Sequence, residues 1–167
     1  MSNIPPPIID CAKVLLYAVN DDAVEYTDNL ELHVGGEAGF KRIGELPYLA
    51  ISETYNEPQT YLLMFCNEEW DVQGVIRYTT IDEAKIKAER GYRGIAEKWC
   101  KSPYDEENIN DFLRDEYEVD PKSEWWKFYC SFCGKEDSKC GSVVRGKYAS
   151  ICKSCVLSFY EAFTENS

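Results

Sequence analysis

The sequence predicts an α+β fold: an antiparallel meander sheet with helices over residues 1–120, then a small cysteine-rich module over residues 121–167. Three observations lead there. Strand-length apolar runs follow one another closely between Tyr48 and Tyr78. Two helical stretches with recognisable start signals come next. Four of the eight cysteines then fall in two Cys-x-x-Cys pairs.

Along the chain, Pro5-Pro6-Pro7 makes a stiff, extended lead-in. Residues 14–17 read as a first strand. Leu30-Glu31-Leu32-His33-Val34 alternates apolar and polar like a half-buried strand, which Gly35-Gly36 is expected to break. The stretch from Gly35 to Gly39 resembles a phosphate loop only superficially. It lacks the glycine spacing and the Lys-Ser/Thr ending, and Glu31 and Glu37 lie beside it, so it reads as a turn. Residues 48–55, 60–66 and 72–78 are strand-like, separated by Asn56-Glu57-Pro58 and Asn67-Glu68-Glu69. Connections this short imply antiparallel pairing.

Thr80-Ile81-Asp82-Glu83 is a capping box, with Asp82 and Glu83 suited to the positive end of the helix dipole. Ile81, Ala84, Ala88 and Tyr92 form one apolar stripe. Ser102-Pro103 reads as an N-cap followed by proline at the first helical position. Asp105, Glu106 and Glu107 load the first turn, and Ile109, Phe112, Leu113 and Tyr117 share a face. Both helices are expected on one face of the sheet. Pro121 interrupts the pattern, and a domain boundary is expected near residues 119–122.

Composition narrows the function. Hydrophobic residues are 44% and charged residues 29%, which excludes a disordered chain. No apolar run reaches the ~20 residues a membrane span needs. The first ten residues have neither a basic start nor an apolar stretch, so a cytoplasmic location is expected. The net charge is −12. Residues 1–120 hold 25 acids against 11 bases, and residues 121–167 hold 5 against 7. A field of that sign repels nucleic acid and anionic membranes and attracts basic proteins.

Cys11, Cys66 and Cys100 are scattered. Cys130, Cys133, Cys152 and Cys155 are arranged as Cys-x2-Cys-x18-Cys-x2-Cys, the spacing of a zinc site. Zinc takes four soft ligands in a tetrahedron, and a two-residue gap lets one tight turn offer two sulfurs. Two such turns close the shell, which predicts one structural Zn2+ and no catalytic position. Gly134 permits the positive φ that turns backbone N–H groups toward the thiolates. Residues 142–151 read as a hairpin turning at Arg145-Gly146-Lys147. Val156, Phe159, Tyr160 and Phe163 then recur at helical spacing, placing the second cysteine pair at a helix start. Knuckle, hairpin and helix in that order form a treble clef. Cys140 has no partner at knuckle spacing and reads as a loop or small-core thiol.

Cys130-Ser131-Phe132-Cys133-Gly134-Lys135, with the run from Tyr148 to Val156 that holds Cys152 and Cys155, resembles the ClpX-type C4 zinc-binding domain. The resemblance implies zinc at those four cysteines, homodimerisation and recognition of client proteins. It does not extend to an unfoldase: no nucleotide-binding loop occurs, and the module here lies C-terminal. Trp125, Trp126, Phe128, Tyr129 and Phe132 add a heavy aromatic load, read either as packing on the first domain or as a contact face. Lys139, Arg145, Lys147 and Lys153 are too thin a basic set to predict nucleic-acid binding.

The first domain shows no catalytic constellation. His33 is the single histidine, and no nucleophile elbow is present, so no enzyme is expected. Residues 60–99, with Asn67-Glu68-Glu69-Trp70-Asp71, Asp82-Glu83-Ala84-Lys85, Ala88-Glu89, Tyr92 and Trp99, resemble small bacterial immunity proteins, which imply a toxin-binding role. An acidic surface suits the basic cleft of a nuclease toxin. The candidate contact residues are Asp105, Glu106, Glu107, Asp111, Asp115, Glu116 and Glu118, then Glu68, Glu69 and Asp71. The alternative is an adaptor whose zinc module dimerises or recruits clients.

Overall fold

The computed structural model describes residues 3–164 apart from positions 28, 31, 37, 38, 56, 125, 126, 128 and 146–149. Expectations resting on Glu31, Glu37, Trp125, Trp126, Phe128, the turn at Gly146 and Lys147, or the His33 side chain lie outside the described residues. The chain divides into two compact units, Met1–Glu118 and Val119–Ser167. No helix among the described residues is long and apolar enough to cross a membrane.

The first unit is built on a curled antiparallel sheet. Its strands are β1 (Ile8–Ile9), β2 (Ala12–Val19), β6 (Tyr48–Thr54), β7 (Tyr61–Cys66) and β8 (Val72–Tyr78), adjacent in that order. β10 (Cys100–Lys101) also pairs with β2. β6, β7 and β8 are the expected meander, with Leu49 opposite Phe65 and Ile51 opposite Leu63. Alternation sends Leu49, Ile51, Leu63 and Phe65 into one apolar cluster, and Tyr48, Ala50, Met64 and Cys66 into another. Both faces of the central strands are thus covered, which is why they read as nearly continuous apolar runs. In β2 a register shift between Val14 and Leu16 changes the face that each side chain serves.

Two short pairings complete the unit: β3 (Glu25–Tyr26) with β9 (Tyr92–Arg93), and β4 (Leu32–Gly36) with β5 (Gly39–Ile43), while β1 turns into β2 through Asp10 and Cys11, both at positive φ. The expected break at Gly35-Gly36 is corrected. Gly35 pairs with Phe40 and Gly36 with Gly39, because ladder hydrogen bonds need only backbone.

Helix α1 spans Ile81–Gly91. The Glu83 amide donates to the Thr80 hydroxyl at 3.2 Å, and the Glu83 carboxylate accepts from the Thr79 hydroxyl at 3.0 Å. Ala84, Ala88 and Tyr92 are fully buried in the first cluster. Helix α2 spans Glu106–Glu116 and is capped by Asp105, not Ser102. Asp105 accepts from the Asn108 amide at 2.9 Å, and Asn108 answers by accepting from the Asp105 amide at 3.1 Å. Ser102 is occupied elsewhere: its amide donates to the Leu15 carbonyl at 2.9 Å and prolongs the β10–β2 pairing. The one-face expectation also fails. Phe112 and Tyr117 line a groove with Ile9, Trp70 and Val72, which belong to or pack on the second cluster, so α2 serves the face opposite α1.

Trp70 is the anchor of that second face. It holds φ at 66°, a conformation costly for a bulky side chain. Its indole is 6% exposed, stacks on Tyr48 at 4.4 Å and meets Tyr17 edge-on at 6.2 Å. The Asn67 side chain fixes the loop by accepting from the Glu69 and Asp71 amides at 3.0 and 2.8 Å. Packing therefore outweighs the strain. On the first face, Gly91 presses on Leu30: a Cβ there would lie 2.2 Å from Leu30 Cδ1 and 3.2 Å from its Cβ.

Two substitutions test these contacts by chemical denaturation of the full chain. Trp70→Ala keeps the positive φ and loses the stacking, and should cost about 3–5 kcal/mol. Gly91→Ala should destabilise by about 1–3 kcal/mol through overpacking, although alanine favours a helix by about 1 kcal/mol. A stabilised Gly91→Ala chain would mean that propensity, not the Leu30 contact, decides this position.

Candidate metal centre

The second unit folds around its cysteines. Tyr129 bridges to Glu136, the Cys130 amide donates to the Lys135 carbonyl at 2.9 Å, and the Gly134 amide donates to the Cys130 carbonyl at 2.8 Å. This first knuckle turns at Gly134, whose φ is 71°. The space beyond Gly134 is open, so its conformation and not crowding demands glycine. A single helical turn, α3 (Asp137–Cys140), leads to the hairpin of β11 (Val143–Arg145) and β12 (Ser150–Cys152). Helix α4 (Lys153–Thr164) follows directly, so Cys152 ends a strand and Cys155 sits in the first helical turn.

Backbone bonds lock the knuckles together. The Ser131 amide donates to the Ser150 carbonyl at 2.8 Å, and the Ser150 amide returns to the Ser131 hydroxyl at 3.0 Å. The Lys153 amide donates to the Ser142 carbonyl at 2.9 Å. The Cys152 amide points at the Cys130 sulfur at 3.4 Å. Burial raises the Cys130 thiol, but amides of Cys152, Cys133 and Phe132 outweigh it and hold the group down at about 6. A thiolate is thereby favoured at neutral pH.

The four sulfurs of Cys130, Cys133, Cys152 and Cys155 all lie within 4.8 Å of one another. Cys130 and Cys155 are 3.7 Å apart, and Cys133 and Cys152 are 3.8 Å apart. Sulfurs placed about 2.3 Å from a central zinc in a tetrahedron are about 3.8 Å apart, whereas a disulfide needs about 2.05 Å. Geometry and donor chemistry both fit one structural Zn2+ with a complete ligand shell. Cys140 stands outside the set. Its thiol donates to the Lys135 carbonyl at 3.3 Å and is pushed up to about 11, by burial first and then by Cys152.

What surrounds the metal site is thin. Among the described residues of this unit, only Cys130 and Cys152 are buried. No residue of α4 is buried, and Phe132, Leu157, Tyr160 and Phe163 are all about half exposed or more. Phe132 meets Phe159 edge-on at 5.1 Å. The apolar spacing expected of α4 therefore describes an exposed face.

The acidic candidates of the first unit separate by role. Asp105 is committed to capping α2, Glu106 pairs with Lys13 at 3.3 Å, and Asp111 pairs with Arg114. Asp111, Asp115 and Glu116 line a groove of about 360 Å³ with Pro6, Pro7 and Tyr104. Glu69 and Asp71 line a second groove of about 370 Å³ with Asp10, Trp70 and Tyr117. The two grooves share Pro6 and Phe112. Glu68, Glu107 and Glu118 are exposed and line neither. Asp10 was not a sequence candidate, since it stands alone between Ile9 and Cys11. Its carboxyl is pushed up, by burial first and then by the Asp71 charge.

Metal analysis of the purified, reduced chain is expected to give one zinc per molecule. Cys130→Ser and Cys152→Ser should each abolish it and remove the far-ultraviolet signal of α4, while Cys140→Ser keeps full stoichiometry. Retention of zinc in the first two variants would overturn the assignment.

Comparison with known proteins agrees with the geometry over the same stretch. Residues 129–165 match the family model of the ClpX C4-type zinc finger. Neither the curated proteins nor the solved structures give a match to the chain. Residues 129–165 are thus similar to the ClpX C4-type zinc finger, and within them Cys130, Cys133, Cys152 and Cys155 are positioned for the metal.

Proposed function

We propose that the chain is a non-enzymatic binding protein whose acidic unit docks a basic protein domain, in the manner of an immunity protein neutralising a toxin, with the zinc module as a structural brace. The observation that carries this reading is the pair of grooves sharing Pro6 and Phe112, with carboxylates in both. Asp10, Glu69 and Asp71 crowd one of them without a cation paired to them among the described residues. A lysine or arginine from a partner relieves that repulsion, and the partly exposed rings of Phe112 and Tyr117 offer aromatic surface to a guanidinium. The net charge of −12 steers such a partner from a distance.

One thiol of the first unit is withdrawn from chemistry. Cys66 is sealed in the core, and its thiol is pushed up to about 12 by burial first and then by Asp10 and Asp71. Such a group is a poor nucleophile.

A second reading rests on a separate observation, the exposed apolar face of Phe132 and α4. It makes the chain an adaptor that dimerises or recruits clients through its zinc module.

Co-expression with a candidate basic toxin should relieve its growth arrest, and the Asp111→Lys/Asp115→Lys/Glu116→Lys chain should fail to do so. Association of the purified pair should weaken at least about tenfold as salt rises from about 0.05 to about 0.5 M. Binding indifferent to both salt and charge reversal counts against the first reading. Salt-resistant self-association lost on Phe159→Ser/Phe163→Ser favours the second.

A further inference from the structure

The first unit carries another concavity, with the opposite charge. The end of β8 and helix α1 border an open cavity of about 460 Å³. Arg77 enters it from the strand, and Lys87 and Arg90 enter from the helix. The last two stand three residues apart and so share one helix face. Arg77 is paired with Glu57 at 2.9 Å. Lys87 and Arg90 pair with no carboxylate among the described residues.

One acid lines the same cavity against these three cations. Glu83 accepts from the Thr79 hydroxyl at 3.0 Å, a bond that leads in holding its carboxyl below the usual range. Its charge offsets one of the three cations, and the lining stays net positive. The chain has 30 acids and 18 bases, so carboxylates for pairing are plentiful. Two adjacent cations left unpaired at a concave site repel each other until an anion enters. Beside them lies apolar surface: Ile86 is 59% exposed, and Tyr78 is half-buried at the cavity wall.

We propose that this cavity binds a phosphate monoester carried on an apolar or aromatic body. The guanidinium of Arg90 supplies forked donors for the phosphate oxygens, Lys87 adds a point charge, and Arg77, held by Glu57, adds to the positive field. Ile86 and Tyr78 receive the body. The volume lies in the range of small-molecule sites. The site shares no lining residue with the acidic grooves, so it stands or falls independently of the protein-binding reading.

The test is amide-shift titration of the full, zinc-loaded chain with phenyl phosphate, inorganic phosphate and phenol. Phenyl phosphate should move residues 77–79 and 83–90 saturably, and bind more tightly than inorganic phosphate. Phenol should leave them unmoved. Lys87→Gln and Arg90→Gln, both surface changes, should each weaken binding about tenfold or more, the loss expected for a charge-assisted hydrogen bond. Ile86→Ser should bring phenyl phosphate down to the affinity of inorganic phosphate. Shifts elsewhere only, binding unaltered in the double Lys87→Gln/Arg90→Gln chain, or equal affinity for the two phosphates overturns the proposal.

Discussion

Four sulfurs drawn to within 4.8 Å of one another are the constraint on which the C-terminal unit depends. As thiolates they repel, and only a cation at their centre reverses the sign. The unit has little else. Its buried described residues are two of those ligands, Cys130 and Cys152, so the metal site takes the place of an apolar core. Structural zinc contributes about 10–16 kcal/mol of folding free energy in comparable small domains, enough to order a module this size. Backbone bonds from Ser131, Cys152 and Lys153 then transmit the clamp to the hairpin and to α4.

The N-terminal unit is stabilised by different physics. Its sheet buries both faces, one under α1 and one under Trp70 and the neighbourhood of α2. This two-sided core tolerates local cost, such as the positive φ of Trp70, because the indole gains more from Tyr48 and Tyr17 than the backbone loses. It also leaves rigid rims. Acidic grooves form where β1, the β7–β8 loop and α2 approach, and a basic cavity forms where β8 meets α1. A chain of net charge −12 is therefore not uniformly negative at the scale of a ligand.

Legibility followed the range of the interaction. The Thr80 cap was readable because its partner, Glu83, lies three residues away. The meander was readable because its strands succeed one another along the chain. Ser102 misled because its amide is claimed by Leu15, 87 residues distant in sequence. Without knowing that pairing, Asp105 and Ser102 are equally good caps. Gly35-Gly36 misled for a related reason: glycine is a poor strand former alone, yet a hairpin partner holds it in the ladder.

The sequence by itself determined the metal site, since cysteine spacing sets which turns can offer two sulfurs, and ligand chemistry sets the rest. It also determined the composition and sign of the first unit. Only the tertiary structure decided which acids share a groove, that Asp10 joins Asp71 there, and that Arg77 converges with Lys87 and Arg90. Charge at a surface is a sum over neighbours in space, and those neighbours come from segments tens of residues apart, brought together by strand pairing and two-sided packing.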